Sequence, residues 1–459
     1  MVCRRNDRRS CEIASVADSG TAETSDTSQI SMLFRMESSM KMKDLICAAL
    51  YVAAWIFAGS PAYSQDRVTI HVSYVSSYMK PIQEEIARRF SQLHPDIAVV
   101  LASPVEAWGD QLQRTVLDSA SGNGPDVAEH AFNLFGQIVD RGLAQPLDSL
   151  IKQEKGWSSM GYSPALTSLG TYQGRTWGLP FRISAPIIFY NADLVRSVSD
   201  NSSEFPSDWQ DILQVAKRIS ALGGQRVGMF FDYQADGNWT FQALLNLRGG
   251  QLVTSEGKIG FNNAEGLSAL TTLSQIGQSG MLDMPREQAR QSFAAGILGI
   301  YVGSSSQLGN LLKASANKFS IGTAPLPRTA SDARIPVGGG IYMLTTKDPK
   351  KQAAAWEYIK FATGPVAQTL VVEQTGMMPS NDLPASDPGL LGKFYSKNPL
   401  YLTSLKQLPI VTTWTAFPGP NSVKISDTIR EQLRAVVTLK SKPDVALAAM
   451  TKDVEALLK

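Results

Sequence analysis

From Val68 to Leu150 the chain alternates short apolar runs with amphipathic ones, and this order limits the possible folds more than any single residue does. VTIHVSYV alternates apolar and polar residues as a strand does. KPIQEEIARRFSQLHPD follows with Ile82, Ile86 and Phe90 at helical spacing, and His94-Pro95 ends it. IAVVLASPV reads as a second strand, WGDQLQRTVLDSASG as a second amphipathic helix, GPDVAEH as the end of a third strand and NLFGQIVDRGLAQPLDSLI as the next helix. Such alternation predicts an α/β fold with a doubly wound sheet, which binds ligands at the carboxyl ends of its strands.

The pattern continues. RTWGLPFRISAPIIFYNADLVRSV takes a Pro-containing loop into an apolar strand, and a polar linker runs to Phe205. FPSDWQDILQVAKRISALG predicts a helix with Ser207 as N-cap and Gln210 completing a capping box. Trp209 and Trp356 lie within amphipathic helices and read as core. PVGGGIYMLTTKDPKKQAAAWEYIKFATG is a glycine-opened strand and a long helix, and two helices close the chain. A chain of 459 residues exceeds one ordinary core, so two lobes are expected.

The N-terminus stands apart. MKMKDLICAALYVAAWIFAGSPAYSQ, from Met40, has the basic, apolar and small-residue regions of a signal peptide, cut after Ser64 or alternatively Ala62. Residues 1–39 are polar and aperiodic, as an extension from a mis-assigned start codon would be. Cys3, Cys11 and Cys47 all precede the cut, leaving a mature chain without thiols, and Ile46 before Cys47 does not suit a lipidation site. A periplasmic location follows as the expectation. With 43 Lys plus Arg against 41 Asp plus Glu, charge gives no reason to expect nucleic acid or an anionic membrane as partner.

Catalytic patterns are sparse. His71, His94 and His130 show no paired ligand spacing, so no metal is expected, and no other cofactor is implied. No G-x-S-x-G elbow or Walker A motif occurs, and GSSS at Gly303 lacks the closing glycine. Paired carboxylates are defined by separation in space, which leaves a secreted glycoside-processing enzyme as the alternative reading.

FSQLHPDIAV, GPDV through RGLAQPLDSL, GLPFRISAPIIFYN, FPSDWQDILQVAKRI, GILGIYVGSSS, PLPRTASDARIPVGGG and WEYIKFATGPVAQTLVVEQTGMMPS occur in an order and spacing that resemble the family 1 extracellular solute-binding proteins of ABC importers. The sugar and glycerol-3-phosphate branch is the most similar. The resemblance implies a two-lobed periplasmic-binding-protein fold, with each lobe an α/β sheet flanked by helices and the ligand in the cleft between them. Lobe 1 would take residues 66–182 plus 338–380 and lobe 2 residues 183–337 plus 381–459, with crossovers near Ile183, Pro336 and Pro379. Residues 1–64 would be extension and signal peptide. The protein would be a non-enzymatic monomer that captures a carbohydrate or glycerol-derived solute and delivers it to permease subunits.

The same resemblance places candidate ligand contacts. His130 and Asn133 stand where the maltose-binding branch supplies an aromatic and a carboxylate, and Glu129 lies on the opposite side of the strand. Imidazole and amide both hydrogen-bond hydroxyls. His130 could equally be a satisfied, half-buried histidine. Ser184 would meet a hydroxyl or phosphate oxygen, and Arg182 would act either as an anion anchor or within a surface or interlobe salt bridge. Trp239 would stack on a sugar face or pack in its helix, while Trp108 and Trp414 are loop candidates. Gly303, Ser304 and Gly339 would offer close backbone approach or simply form turns. Gly338, Gly339 and Gly340 would ease hinge closure or form a plain glycine loop. The loop TWTAFPGPNSVK has Pro418 where the glycerol-3-phosphate branch carries an arginine, and Met377 replaces a tyrosine. Glycerol-3-phosphate itself therefore fits poorly.

Overall fold

The computed structural model describes residues 67–199 and 204–459. The expected signal peptide, its cleavage site, the three cysteines and residues 200–203 lie outside the described residues. Among the described residues no helix is long and apolar enough to cross a membrane.

β1 (Val68–Ser73), β2 (Ile97–Leu101) and β3 (Val127–Ala131) pair in parallel in the order β2-β1-β3, with Val68 opposite Ile97 and Val72 opposite Val127. Parallel pairing requires crossovers, and the helices Lys80–Leu93 and Trp108–Ala120 provide them. Ile82, Ile86 and Phe90 are all buried, so the helical spacing in the sequence marks the true inner face. A short hairpin of β4 (Thr171–Tyr172) and β5 (Arg175–Thr176) leads into β6 (Gly178–Ser184), which is buried throughout.

After Ala185 the chain enters a second sheet. β7 (Pro186–Asn191), β8 (Val227–Phe231), β9 (Leu298–Ser304) and β10 (Ile321–Pro325) form it in the order β10-β7-β9-β8. β11 (Ile335–Leu344) then returns to the first sheet, lying antiparallel to both β3 and β6, while its first residues pair with β12 (Val411–Thr413). The third passage runs between Asp382, whose N–H still donates to the Gly161 carbonyl, and Leu400, whose carbonyl accepts from Thr323 of β10. Two sheets, each covered by its own helices, make two lobes. The helices Ser422–Val437 and Pro443–Leu458 pack on Ala264–Gln278 over the second sheet.

One cap differs from expectation. Asp208, not Ser207, caps the helix Trp209–Ala221: its backbone is extended and its carboxylate accepts the Asp211 N–H at 3.0 Å. Both residues suit an N-cap, and the start of the helix one residue later decides between them. Trp209 and Trp356 are buried in the core.

The glycine run lies inside β11 rather than in a loop, and close packing explains it. Gly339 has φ +114°, and a Cβ there would fall on the Arg182 carbonyl; one on Gly338 would come 2.9 Å from the Trp239 indole. Only glycine admits this approach of two strands and a ring.

His130 sits on β3 opposite Ile341, 1% exposed, and its Nε2 has no hydrogen-bond partner. Burial pushes its pKa down to about 3. The unfolded chain therefore binds a proton that the folded chain refuses, and stability falls as pH drops below the unfolded value near 6.5. At pH 5 the loss should be about 2 kcal/mol relative to pH 8. Urea denaturation across this range should show that slope in the native chain and a flatter one in His130→Asn.

Candidate functional site

In a sheet of parallel strands the loops at the carboxyl ends gather side chains at one edge. Here the two lobes present those edges to each other across a cavity of about 550 Å³. Ser76 and Tyr78 follow β1, Glu106 and Trp108 follow β2, Asp232 and Asp236 follow β8, and Ser304 ends β9 with Ser306 in the turn just beyond it. Arg182 and Ser184 of β6 and Gly338 and Gly339 of β11 line the cavity where those strands pass between the sheets.

Of the residues expected at a site, Trp108, Arg182, Ser184, Trp239, Ser304, Gly339 and Trp414 meet around this one cavity. His130, Asn133 and Gly303 are not among its lining residues. His130 is enclosed within the β3–β11 pairing. Asn133 packs on the turn after β8, where a Cβ on Gly237 would come 2.5 Å from its amide nitrogen. Gly303 is backed by Tyr301, whose hydroxyl would lie 2.7 Å from an added Cβ.

The aromatic wall is held by its edges. Trp239 donates its indole N–H to the Pro336 carbonyl at 2.8 Å, and Trp414 donates to the Gly237 carbonyl at 3.2 Å. The two rings lie 6.4 Å apart, tilted by 51°. Both rings are buried, Trp239 5% and Trp414 3% exposed, and with their N–H groups committed to backbone the little surface that reaches the cavity offers a ligand apolar contact.

Arg182 forms neither a surface nor an interlobe salt bridge but a buried ion pair within the first sheet. It is 2% exposed, and its Nε donates to the Glu129 carboxylate at 2.5 Å. Its Nη1 lies 3.4 Å from the Tyr78 hydroxyl and its Cζ 4.7 Å from the Trp108 ring centre. Nη2 is buried and without a partner. Burial pushes the Glu129 carboxyl up, opposed by Arg182 and by the Val75 N–H it accepts at 3.1 Å. For Arg182 burial works the other way, yet Glu129 outweighs it and the guanidinium is held above its usual range. Successive strand residues face opposite sides, so Glu129 reaches Arg182 where His130 cannot.

Sequence reasoning missed the other charged groups. Arg286 meets Asp232 at 2.9 Å, while Arg290 meets Glu287 at 2.7 Å and donates to the Tyr301 hydroxyl at 3.3 Å. Arg286 is held above its usual range, Asp232 and Asp236 together outweighing its burial. Asp236 is exposed, but crowding by the cleft walls pushes its carboxyl up, with Arg286 opposing. Glu106 accepts the backbone N–H of Ser77 at 3.1 Å and also its hydroxyl. Asp232 could have been found as the first polar residue after the apolar run VGMFF, at a strand's carboxyl end. The arginines carry no such signal, being ordinary helix residues in sequence. Among the described residues no group of three or more His, Cys, Asp or Glu could hold a metal ion.

The family model for bacterial extracellular solute-binding protein matches residues 72–369. A binding protein of Brucella abortus (strain 2308) is 23% identical over 426 residues, covering 90% of this chain and 98% of that protein. The sn-glycerol-3-phosphate-binding periplasmic protein UgpB of Escherichia coli (strain K12) is 21% identical, over 79% of this chain and 86% of its own length. In three dimensions the chain is similar to UgpB from Mycobacterium tuberculosis in complex with glycerophosphocholine, with a TM-score of 0.75 at 20% identity, covering 85% of this chain and 98% of that one. With a match over most of its length and the two-lobed fold to go with it, the chain belongs to the bacterial extracellular solute-binding protein family.

Proposed function

We propose that the protein is the periplasmic substrate-binding component of an ABC importer, capturing a carbohydrate or glycerol-derived solute in the cleft and delivering it to permease subunits. The observation that carries this reading is the convergence of Trp108, Trp239 and Trp414 with Ser184, Ser304 and Ser306 around one cavity between the lobes. Indole faces suit the apolar face of a sugar or polyol, and hydroxyls match its oxygen pattern. The Ser304 and Ser306 hydroxyls lie 2.9 Å apart and form a polar pair at the end of β9.

Binding is a closure of lobes rather than a covalent step. The passages at Ala185, at Val337–Gly339 and between residues 382 and 400 are where the backbone would absorb the movement. Each ligand contact stronger in the closed form shifts the population toward it. Arg182 is already matched by Glu129, so its role is to hold the wall in place and present Nη2, not to stand as a free anion anchor.

Two outcomes are expected. Purified protein, stripped of bound solute by unfolding and refolding, should gain about 2.7 kcal/mol of stability at a ligand concentration 100 times Kd. Thermal shifts against sugars, polyols and glycerophosphodiesters would find that ligand, and chromatography should recover it unchanged; its consumption would favour a glycosidase. Separately, Glu129→Gln should cost about 3 kcal/mol by leaving the Arg182 charge buried and unmatched. The double variant Glu129→Gln with Arg182→Met should recover most of that loss in chemical denaturation, because no buried charge remains.

A further inference from the structure

We propose that Tyr78 is a specificity-determining residue of the cleft, whose hydroxyl donates its hydrogen to an oxygen of the solute because the buried pair of Arg182 and Glu129 leaves that hydrogen free. This rests on the binding-cleft reading above and adds to it a ligand contact from the loop after β1.

A guanidinium can only donate, and Arg182 Nη1 donates to the Tyr78 hydroxyl at 3.4 Å. The tyrosine oxygen is the acceptor of that bond, so its own hydrogen is directed elsewhere. Glu129 does not take it, because one carboxylate oxygen accepts from Arg182 Nε and the other from the Val75 N–H at 3.1 Å. Among the described residues no second hydrogen bond involves the Tyr78 hydroxyl. A hydroxyl that accepts from a cation is polarised toward donating in turn. Arg182 is 2% exposed, whereas Tyr78 is half-buried and lines the cavity. The polarising effect of the guanidinium therefore reaches a solute through the tyrosine.

The loop holds the ring in place. Ser76 takes φ +76°, a conformation few non-glycine residues adopt, and its N–H donates to the Val105 carbonyl at 2.7 Å. Val75 forms a bridge with Val105, and the Ser77 N–H donates to Glu106 at 3.1 Å. These bonds tie the loop after β1 to the loop after β2, with Met79 buried in the core and Tyr78 at the cavity. Backbone strain of this kind persists only where the surroundings fix it. Closing the lobes replaces water by solute, and a solute with an acceptor oxygen at this point keeps the hydroxyl satisfied. One without it leaves an enclosed donor unpaired, and is rejected for that reason.

Calorimetry on the purified, ligand-stripped protein with D-glucose, maltose, glycerol, sn-glycerol-3-phosphate and sn-glycero-3-phosphocholine identifies the tightest of these probes. Tyr78→Phe keeps the ring and removes only the hydroxyl. It should weaken that probe about 5-fold, the worth of one hydrogen bond, and leave the urea midpoint of the ligand-free protein unchanged. If the affinity falls by less than about 3-fold, the inference fails and the binding reading stands. Weakened binding together with a lowered midpoint would mean that Tyr78 only holds Arg182 in place, and overturns the inference as well. If none of the probes binds the native protein, both fall.

Discussion

The pairing of β6 with β11 is the constraint on which the rest of the molecule depends. Both strands carry the chain between the two sheets, and they do so side by side, with Gly338 opposite Ser184 and Gly339 opposite Ile183. Met378 adds a third strand of backbone by donating its N–H to the Ile183 carbonyl at 2.7 Å. This crossing joins the lobes and also forms a wall of the cleft, since Arg182, Ser184, Gly338 and Gly339 line the cavity. Ligand contact and lobe movement therefore act on the same few residues. The glycines at 338 and 339 serve close packing first, and any conformational freedom they lend to closure comes with that role.

Electrostatics in the cleft follow from burial. A guanidinium 2% exposed, as Arg182 is, persists only with a carboxylate against it, and β3 supplies Glu129 from the far side of β11, which pairs with both β3 and β6. The pair holds the guanidinium over Trp108, which stands at the start of the helix Trp108–Ala120 and not in a loop, so a helix-start aromatic and a strand residue from distant parts of the chain become one surface. On the opposite lobe Asp232 is likewise buried and matched by Arg286. Asp236 also acts on the Arg286 guanidinium, so the charges of this wall are shared rather than strictly paired.

The architecture was largely legible in the sequence because its periodicities are strong. Alternation over Val68–Ser73, helical spacing of Ile82, Ile86 and Phe90, and the apolar run PIIF from Pro186 each correspond to the element and face observed. The cap of the helix Trp209–Ala221 moved by one residue because Ser207 and Asp208 are both competent caps and only the backbone angles separate them. Trp239, Arg182 and Ser184 were placed in the cleft by resemblance, whereas His130 went to the interior of the β3–β11 pairing. A strand's alternation says that Glu129 and His130 face opposite sides, but not which side the second lobe occupies.

What the sequence determined by itself is the order of strands and helices, the apolar faces and the expectation of two lobes, since these depend on local periodicity and chain length. Tertiary structure alone decided which charges meet. Arg286 and Asp232 lie 54 residues apart, and Glu129 and Arg182 lie 53 apart. No spacing rule links them, because one pair reaches across the intervening strand β11 and the other is made by a helix folded back over a strand end.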